Sequence, residues 1–161
     1  MERVSKINYY LDIAQTVASR GTCLRRNYGA IIVKNDVIIA TGYNGAPRGR
    51  KNCCDLGTCI RDEMNVPRGE RYELCRSVHS EANAIIAASR DQLIGSTLYQ
   101  TCVNPKDGGI MGNIDCCQMC KRLIINAGIE TVIFRVTAGE YRVASVSDWV
   151  TDDDSLGKIG Y

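Results

Sequence analysis

No apolar run in this sequence approaches the roughly 18–20 residues that a membrane-spanning helix requires. The opening segment from Met1 to Lys6 carries no apolar export core either, so a chain kept in the cytoplasm is expected. Net charge is scarce: 20 Lys and Arg stand against 18 Asp and Glu, a balance of +2. That is too little to argue for nucleic acid or an anionic membrane surface as the main partner, which leaves a small molecule. Internal repeats and low-complexity tracts are missing. So is a Gly-x-Gly-x-x-Gly between strand and helix, and the Gly-rich stretch 103–115 is therefore no phosphate-binding fingerprint. Histidine occurs once, at His79.

Cysteine, by contrast, occurs nine times. In a small exported chain that would mean disulfides; in 161 residues without an export signal, metal binding or catalysis is the better account. With 45% apolar and 24% charged residues the composition is that of an ordinary globular protein. One domain over 1–161 is expected, with a cysteine-rich insertion at about 43–78.

Two stretches carry the chemistry. His79-Ser80-Glu81 opens an alanine-rich run that continues to Ala88, and Cys117-Gln118-Met119-Cys120 opens a helix that runs to Gly128, a helix-ending residue. One imidazole and two thiolates fill three positions of a tetrahedral zinc and leave the fourth to water, as in a catalytic centre. Glu81, two residues from His79, is placed to move protons on that water. Taken singly, His79 could be a satisfied polar residue, and Cys117 with Cys120 a redox pair at a helix N-terminus. Their conjunction at two helix starts favours the metal centre.

Along the chain, apolar residues from Ile7 to Ala18 fall on one helical stripe ending near Gly21. Two β-branched runs, 30–34 and 37–41, flank Asn35-Asp36 and read as a hairpin covered on both faces. Residues 43–78 show little periodicity but contain Cys53, Cys54, Cys59 and Cys75. A segment of that length needs tying down, and a structural zinc held by Cys23, Cys53, Cys59 and Cys75, with Cys54 as the substitute for Cys53, would do it. Buried free thiols are the plain alternative. Further strands are expected at 96–102 and 130–136, giving a layered α/β sheet with crossover helices. Trp149 reads as a packing anchor and Asp152, Asp153 and Asp154 as a solvated end.

The His-x-Glu and Cys-x-x-Cys pair is the known signature of zinc nucleobase deaminases, and the chain resembles the cytidine and deoxycytidylate deaminase superfamily. Gly42-Tyr43-Asn44-Gly45-Ala46-Pro47-Arg48-Gly49, Asn52-Cys53-Cys54-Asp55 and Thr22-Cys23-Leu24-Arg25 resemble its deoxycytidylate branch. The resemblance implies a three-layer α/β/α fold with a central mixed sheet and a zinc-dependent hydrolytic deamination of a cytosine nucleotide, foremost dCMP to dUMP and ammonia, with dCTP or free (deoxy)cytidine as alternative substrates. A nucleic-acid base deaminase of the tRNA-editing type is the alternative. It also implies Glu81 as proton carrier, Asn44 and Arg25 as substrate contacts, an extra zinc in some members, and a homo-oligomer, often a hexamer. Two departures stand out: Cys116 occupies the place of the proline before Cys-x-x-Cys, and is not expected to be a zinc ligand, and the loop between Tyr99 and Cys117 is longer than the family usually has.

Overall fold

In the computed structural model, which describes residues 1–153, five strands form one mixed sheet in the order β2-β1-β3-β4-β5. Helix α1 (Lys6–Ala18) starts at Ser5, whose side chain accepts the Asn8 N–H as an N-cap. Strands β1 (Asn27–Lys34) and β2 (Val37–Tyr43) then pair antiparallel around Asn35 and Asp36. Both turn residues are left-handed, with φ of 50° and 61°, as a two-residue hairpin turn requires. The expected hairpin is present. β1 is buried along nearly its whole length, whereas β2 lies at the sheet edge and exposes Val37, Thr41 and Tyr43. Of the two hairpin strands, only β1 is therefore covered on both faces, while β2 forms the edge of the sheet.

The segment 43–78 holds two single-turn helices, α2 (Cys53–Leu56) and α3 (Ile60–Glu63), and a 3-10 turn at Tyr72–Leu74. Its neck is closed by paired Gly45 and Val78, whose N–H groups each donate to the other's carbonyl, at 3.2 and 2.7 Å. After it come α4 (Ser80–Ile86), α5 (Arg90–Leu93) and β3 (Thr97–Val103), which pairs antiparallel with β1. Helix α6 (Gln118–Ala127) crosses over to β4 (Thr131–Arg135), parallel to β3. The chain then turns back through β5 (Tyr141–Ser145) into α7 (Val146–Thr151). Neither β5 nor α7 is evident from the sequence pattern. Among the described residues no helix is long and apolar enough to cross a membrane.

Two cores lie on opposite faces of the sheet. Leu11 and Ala14 of α1 pack with Ile31, Val33, Tyr99 and Ile133 on one side. On the other, Ala84 of α4, with Cys120 and Ile124 of α6, covers Ile32, Leu98, Val132 and Phe134. Alternation along the strands assigns successive residues to the two faces, giving the three layers. Trp149 packs against the second core, and the Lys121 ammonium lies 5.2 Å from its ring centroid. Asp152 and Asp153 are exposed, and Asp154 lies outside the described residues.

Gly42 sets how close α4 can come to the sheet. A Cβ there would meet the Ala84 nitrogen and the Ser80 carbonyl oxygen, each at 2.4 Å. Both belong to the helix that carries Glu81, so it cannot stay in place under a larger residue. Gly42→Ala should cost about 1–3 kcal/mol of stability, read as a lower midpoint in urea unfolding at unchanged slope.

Candidate active site

His79 and Cys117 are the N-cap residues of α4 and α6, and those helices pack side by side on one face of the sheet. An N-cap has extended backbone and projects its side chain past the helix end, so two caps here deliver an imidazole and a thiol to one point. Cys120 joins them one helical turn after Cys117, its own N–H donating to Cys117 Sγ at 3.5 Å. His79 Nδ1 lies 3.4 Å from Cys117 Sγ and 3.5 Å from Cys120 Sγ. Among the described residues these are the His, Cys, Asp and Glu side chains grouped tightly enough to hold a metal, all ligand atoms within 4.8 Å.

The spacing fits zinc. Tetrahedral bonds of about 2.3 Å to sulfur and about 2.05 Å to nitrogen place those two atoms about 3.6 Å apart. Two thiolates and one imidazole, three protein donors in all, also form the donor set of an open zinc centre. Electrostatics prepare the ligands. Cys117 is held down at about 4, first by the hydrogen bond from the Cys120 thiol and then by His79. That same hydrogen bond to Cys117, followed by burial, opposes ionisation of Cys120. Burial opposes the charge on His79, yet Cys117, Cys75 and Glu81 outweigh it and raise the ring to about 10. A dication placed between them would displace the protons of Cys120 and His79 and meet the Cys117 thiolate directly.

Glu81, only 4% exposed, follows on the first turn of α4 and lines the same cavity as His79 and Cys117. That cavity measures about 1680 Å³ and is bordered by Arg25, Arg26, Arg68, Lys121 and Arg122. Residues 112–116, which lead directly into Cys117, also border it. The cluster Arg48, Arg50 and Lys51 is exposed and does not line it. Tyr72 meets His79 edge-on at 5.2 Å between ring centroids, and the Arg61 guanidinium stacks 4.5 Å above Tyr72. No sequence pattern marks Tyr72 or Arg26 for this role.

Asn44 and Arg25 both line the cavity, and each has protein partners. Asn44 Oδ1 accepts the Tyr28 N–H at 2.8 Å, and Nδ2 donates to the Arg26 carbonyl at 2.9 Å. One amide hydrogen and one lone pair are left for a ligand. Arg25 pairs with Asp62 at 3.3 Å, with its side chain 35% exposed. Cys116 is buried and points to Gln100 Oε1 at 3.7 Å, outside the tight ligand group.

The insertion cysteines gather loosely. Cys53 is buried, and its thiol is raised first by that burial and then by neighbouring Cys23, Cys75 and Cys59. Cys54 is exposed and turned toward Asp55. Its backbone N–H donates to the Thr22 carbonyl at 3.1 Å, which pins α2 beside Cys23. Cys23 Sγ accepts the Arg25 N–H at 3.3 Å. Burial opposes ionisation of Cys75, but hydrogen bonds from His79 and the Ser77 backbone lower it.

The family profile described as "Cytidine and deoxycytidylate deaminase zinc-binding region" matches residues 4–136. The chain is 37% identical to the deoxycytidylate deaminase of Mycobacterium phage D29, over 83% of this chain and 97% of that protein. It is 30% identical to the Schizosaccharomyces pombe deoxycytidylate deaminase over 84% of this chain, but spans 38% of that longer relative. Among solved structures, dCMP deaminase from cyanophage S-TIM5 in complex with dCMP and dUMP superposes with a TM-score of 0.58. It is 26% identical, with 84% of each chain covered. The Mycobacterium tuberculosis cytidine deaminase, 15% identical with a TM-score of 0.52, shares the fold.

Proposed function

The chain belongs to the cytidine and deoxycytidylate deaminase family, and from that premise we propose that it hydrolyses dCMP to dUMP and ammonia. The observation that carries the proposal is the His79, Cys117 and Cys120 group with Glu81 buried beside it, at the floor of a cavity edged with arginines. Relatives named deoxycytidylate deaminase, and the dCMP and dUMP bound to the cyanophage enzyme, support the deoxynucleotide.

His79, Cys117 and Cys120 would hold the zinc, which when bound supplies an acidified water as nucleophile near neutral pH. Glu81 accepts a proton from the attacking water and delivers it to N3 of the cytosine ring. It then takes a second proton, from the hydroxyl now on C4, and passes it to the amino group, which leaves as ammonia as the C4 carbonyl forms, so one carboxylate acts as base and then as acid. Burial strengthens each of these transfers by excluding competing water. That Arg25 and the neighbouring Arg26 line the cavity supports a contact to the 5′-phosphate, whose two negative charges suit basic side chains. Asn44 offers its remaining amide hydrogen and lone pair to the sugar. Ammonia release from dCMP, abolished by a chelator and restored by zinc, tests the proposal. No release by zinc-loaded protein would overturn it.

The same proposal gives Cys23, Cys53, Cys59 and Cys75 a second, structural zinc, with Cys53 chosen over Cys54 because Cys54 turns outward. The nearness of Cys23, Cys59 and Cys75 to Cys53 supports it, as does the backbone N–H on Cys23 Sγ, which suits a thiolate. Purified chelator-free protein should carry about two zinc ions per chain, and Cys59→Ser about one, by elemental analysis. One zinc in both would mean that these cysteines only pack. Free thiols throughout agree with a reducing cytoplasm as the working compartment. The same proposal includes a homo-oligomer, which sedimentation of the purified protein would read.

A further inference from the structure

Behind Glu81 lies a line of buried polar side chains that the proton transfers leave unexplained. Ser80 Oγ donates to Glu81 Oε2 at 3.0 Å. Gln100 Nε2 donates to Ser80 Oγ at 3.3 Å. The Cys116 thiol donates to Gln100 Oε1 at 3.7 Å. Ser80 and Gln100 are fully buried and Cys116 nearly so, at 5% exposure.

Gln100 is the anomaly. Strand alternation puts it on the same face of β3 as Leu98 and Cys102, both in the core beneath α4 and α6. An apolar side chain of similar size would fill that place without desolvating an amide. The amide is retained with a partner at each end, and its orientation follows from the far end of the line. An ionised carboxylate only accepts, so the single Ser80 hydroxyl hydrogen is committed to Glu81. Ser80 must then accept, which turns the Gln100 amide nitrogen toward it and the amide oxygen toward Cys116. Every donor in the series points the same way, and the series ends on the carboxylate that carries the proton.

We propose that Gln100 and Ser80, steadied by Cys116, are positioning residues that hold one carboxylate oxygen of Glu81 in place and leave the other for proton transfer. Polarised in series, the hydrogen bonds reinforce one another. A carboxylate held in this way keeps one rotamer through both proton transfers, the kind of alignment on which catalytic rates depend. The proposal rests on Glu81 as the proton carrier of a deaminase, so wild-type turnover of dCMP is measured first. Its absence would count against the activity itself, not against the positioning line alone.

The test is kinetics on Ser80→Ala, Gln100→Leu and the double variant, each with zinc content measured. Each single change should lower kcat about tenfold, with KM within about twofold of wild type and zinc unchanged. The double variant should be no slower than the slower single within about twofold, because a line broken at one link has nothing further to lose. Gln100→Met, unbranched like glutamine, replaces Gln100→Leu if the latter does not fold. Wild-type kcat in the singles, a loss shared with zinc or KM, or a double variant slower by the product of both would each overturn the proposal.

Discussion

Glu81→Gln is expected to keep zinc at the wild-type stoichiometry while kcat for deamination falls by at least about 10²-fold. The amide matches the carboxylate in size, so the packing of α4 and the His79 N-cap should survive. It can neither take the proton from the attacking water nor return it to the leaving amine. The proposed mechanism gives every transfer to this one buried carboxylate; of the other carboxylates that line the cavity among the described residues, Asp115 pairs with Lys121 at 3.5 Å and with Arg142 at 3.7 Å, and Asp153 is exposed. Near-normal turnover with bound zinc would remove Glu81 from the mechanism. Loss of zinc in this variant would instead make the residue a structural support of the metal centre.

The second large effect is expected for Cys117→Ala. Cys117 caps α6, receives the Cys120 N–H and lies 3.4 Å from His79, so the change removes a ligand and a helix cap together. Changing a residue that merely supports a metal ligand costs roughly 10–100-fold in metal affinity or activity, and losing the ligand itself should exceed that. The variant should lose this zinc on dialysis, fall at least about 10²-fold in activity, and unfold at lower denaturant by about 1 kcal/mol for the lost cap alone. Elemental analysis and urea unfolding read the two parts separately. Retention of catalytic zinc by Cys117→Ala would shift ligand duty to another thiol, and buried Cys116 is the neighbour that would then be tested.

How far these residues announce themselves differs from place to place. The hairpin at Asn35-Asp36 is legible because two left-handed residues between β-branched runs allow few alternatives. The metal group is legible because ligand spacing at helix starts is a local property, and folding only has to bring the two starts together. Strand β5 escapes notice because it is an edge strand with Tyr141, Arg142 and Val143 exposed, so no buried stripe or alternation marks it. The insertion hides its organisation for a different reason. Its helices are single turns, and its order comes from the Gly45–Val78 pairing and from the buried Arg61, which donates to the Pro67 and Glu70 carbonyls. Those are long-range or backbone contacts without a sequence period. Gln100 was visible all along as a lone amide in the apolar strand Leu98-Tyr99-Gln100-Thr101-Cys102. What could not be read was the partner at each end.

The most direct test of the central claim is kcat/KM across dCMP, dCTP, deoxycytidine and a cytosine-bearing tRNA hairpin, followed by ultraviolet absorbance on the zinc-loaded protein. A site with Glu81 at its floor and Arg25 and Arg26 at its rim predicts turnover of dCMP at the highest kcat/KM. Deoxycytidine should fall behind by at least about tenfold, for want of the phosphate's charge-assisted hydrogen bonds. Deamination of the hairpin alone, with dCMP untouched, would contradict it.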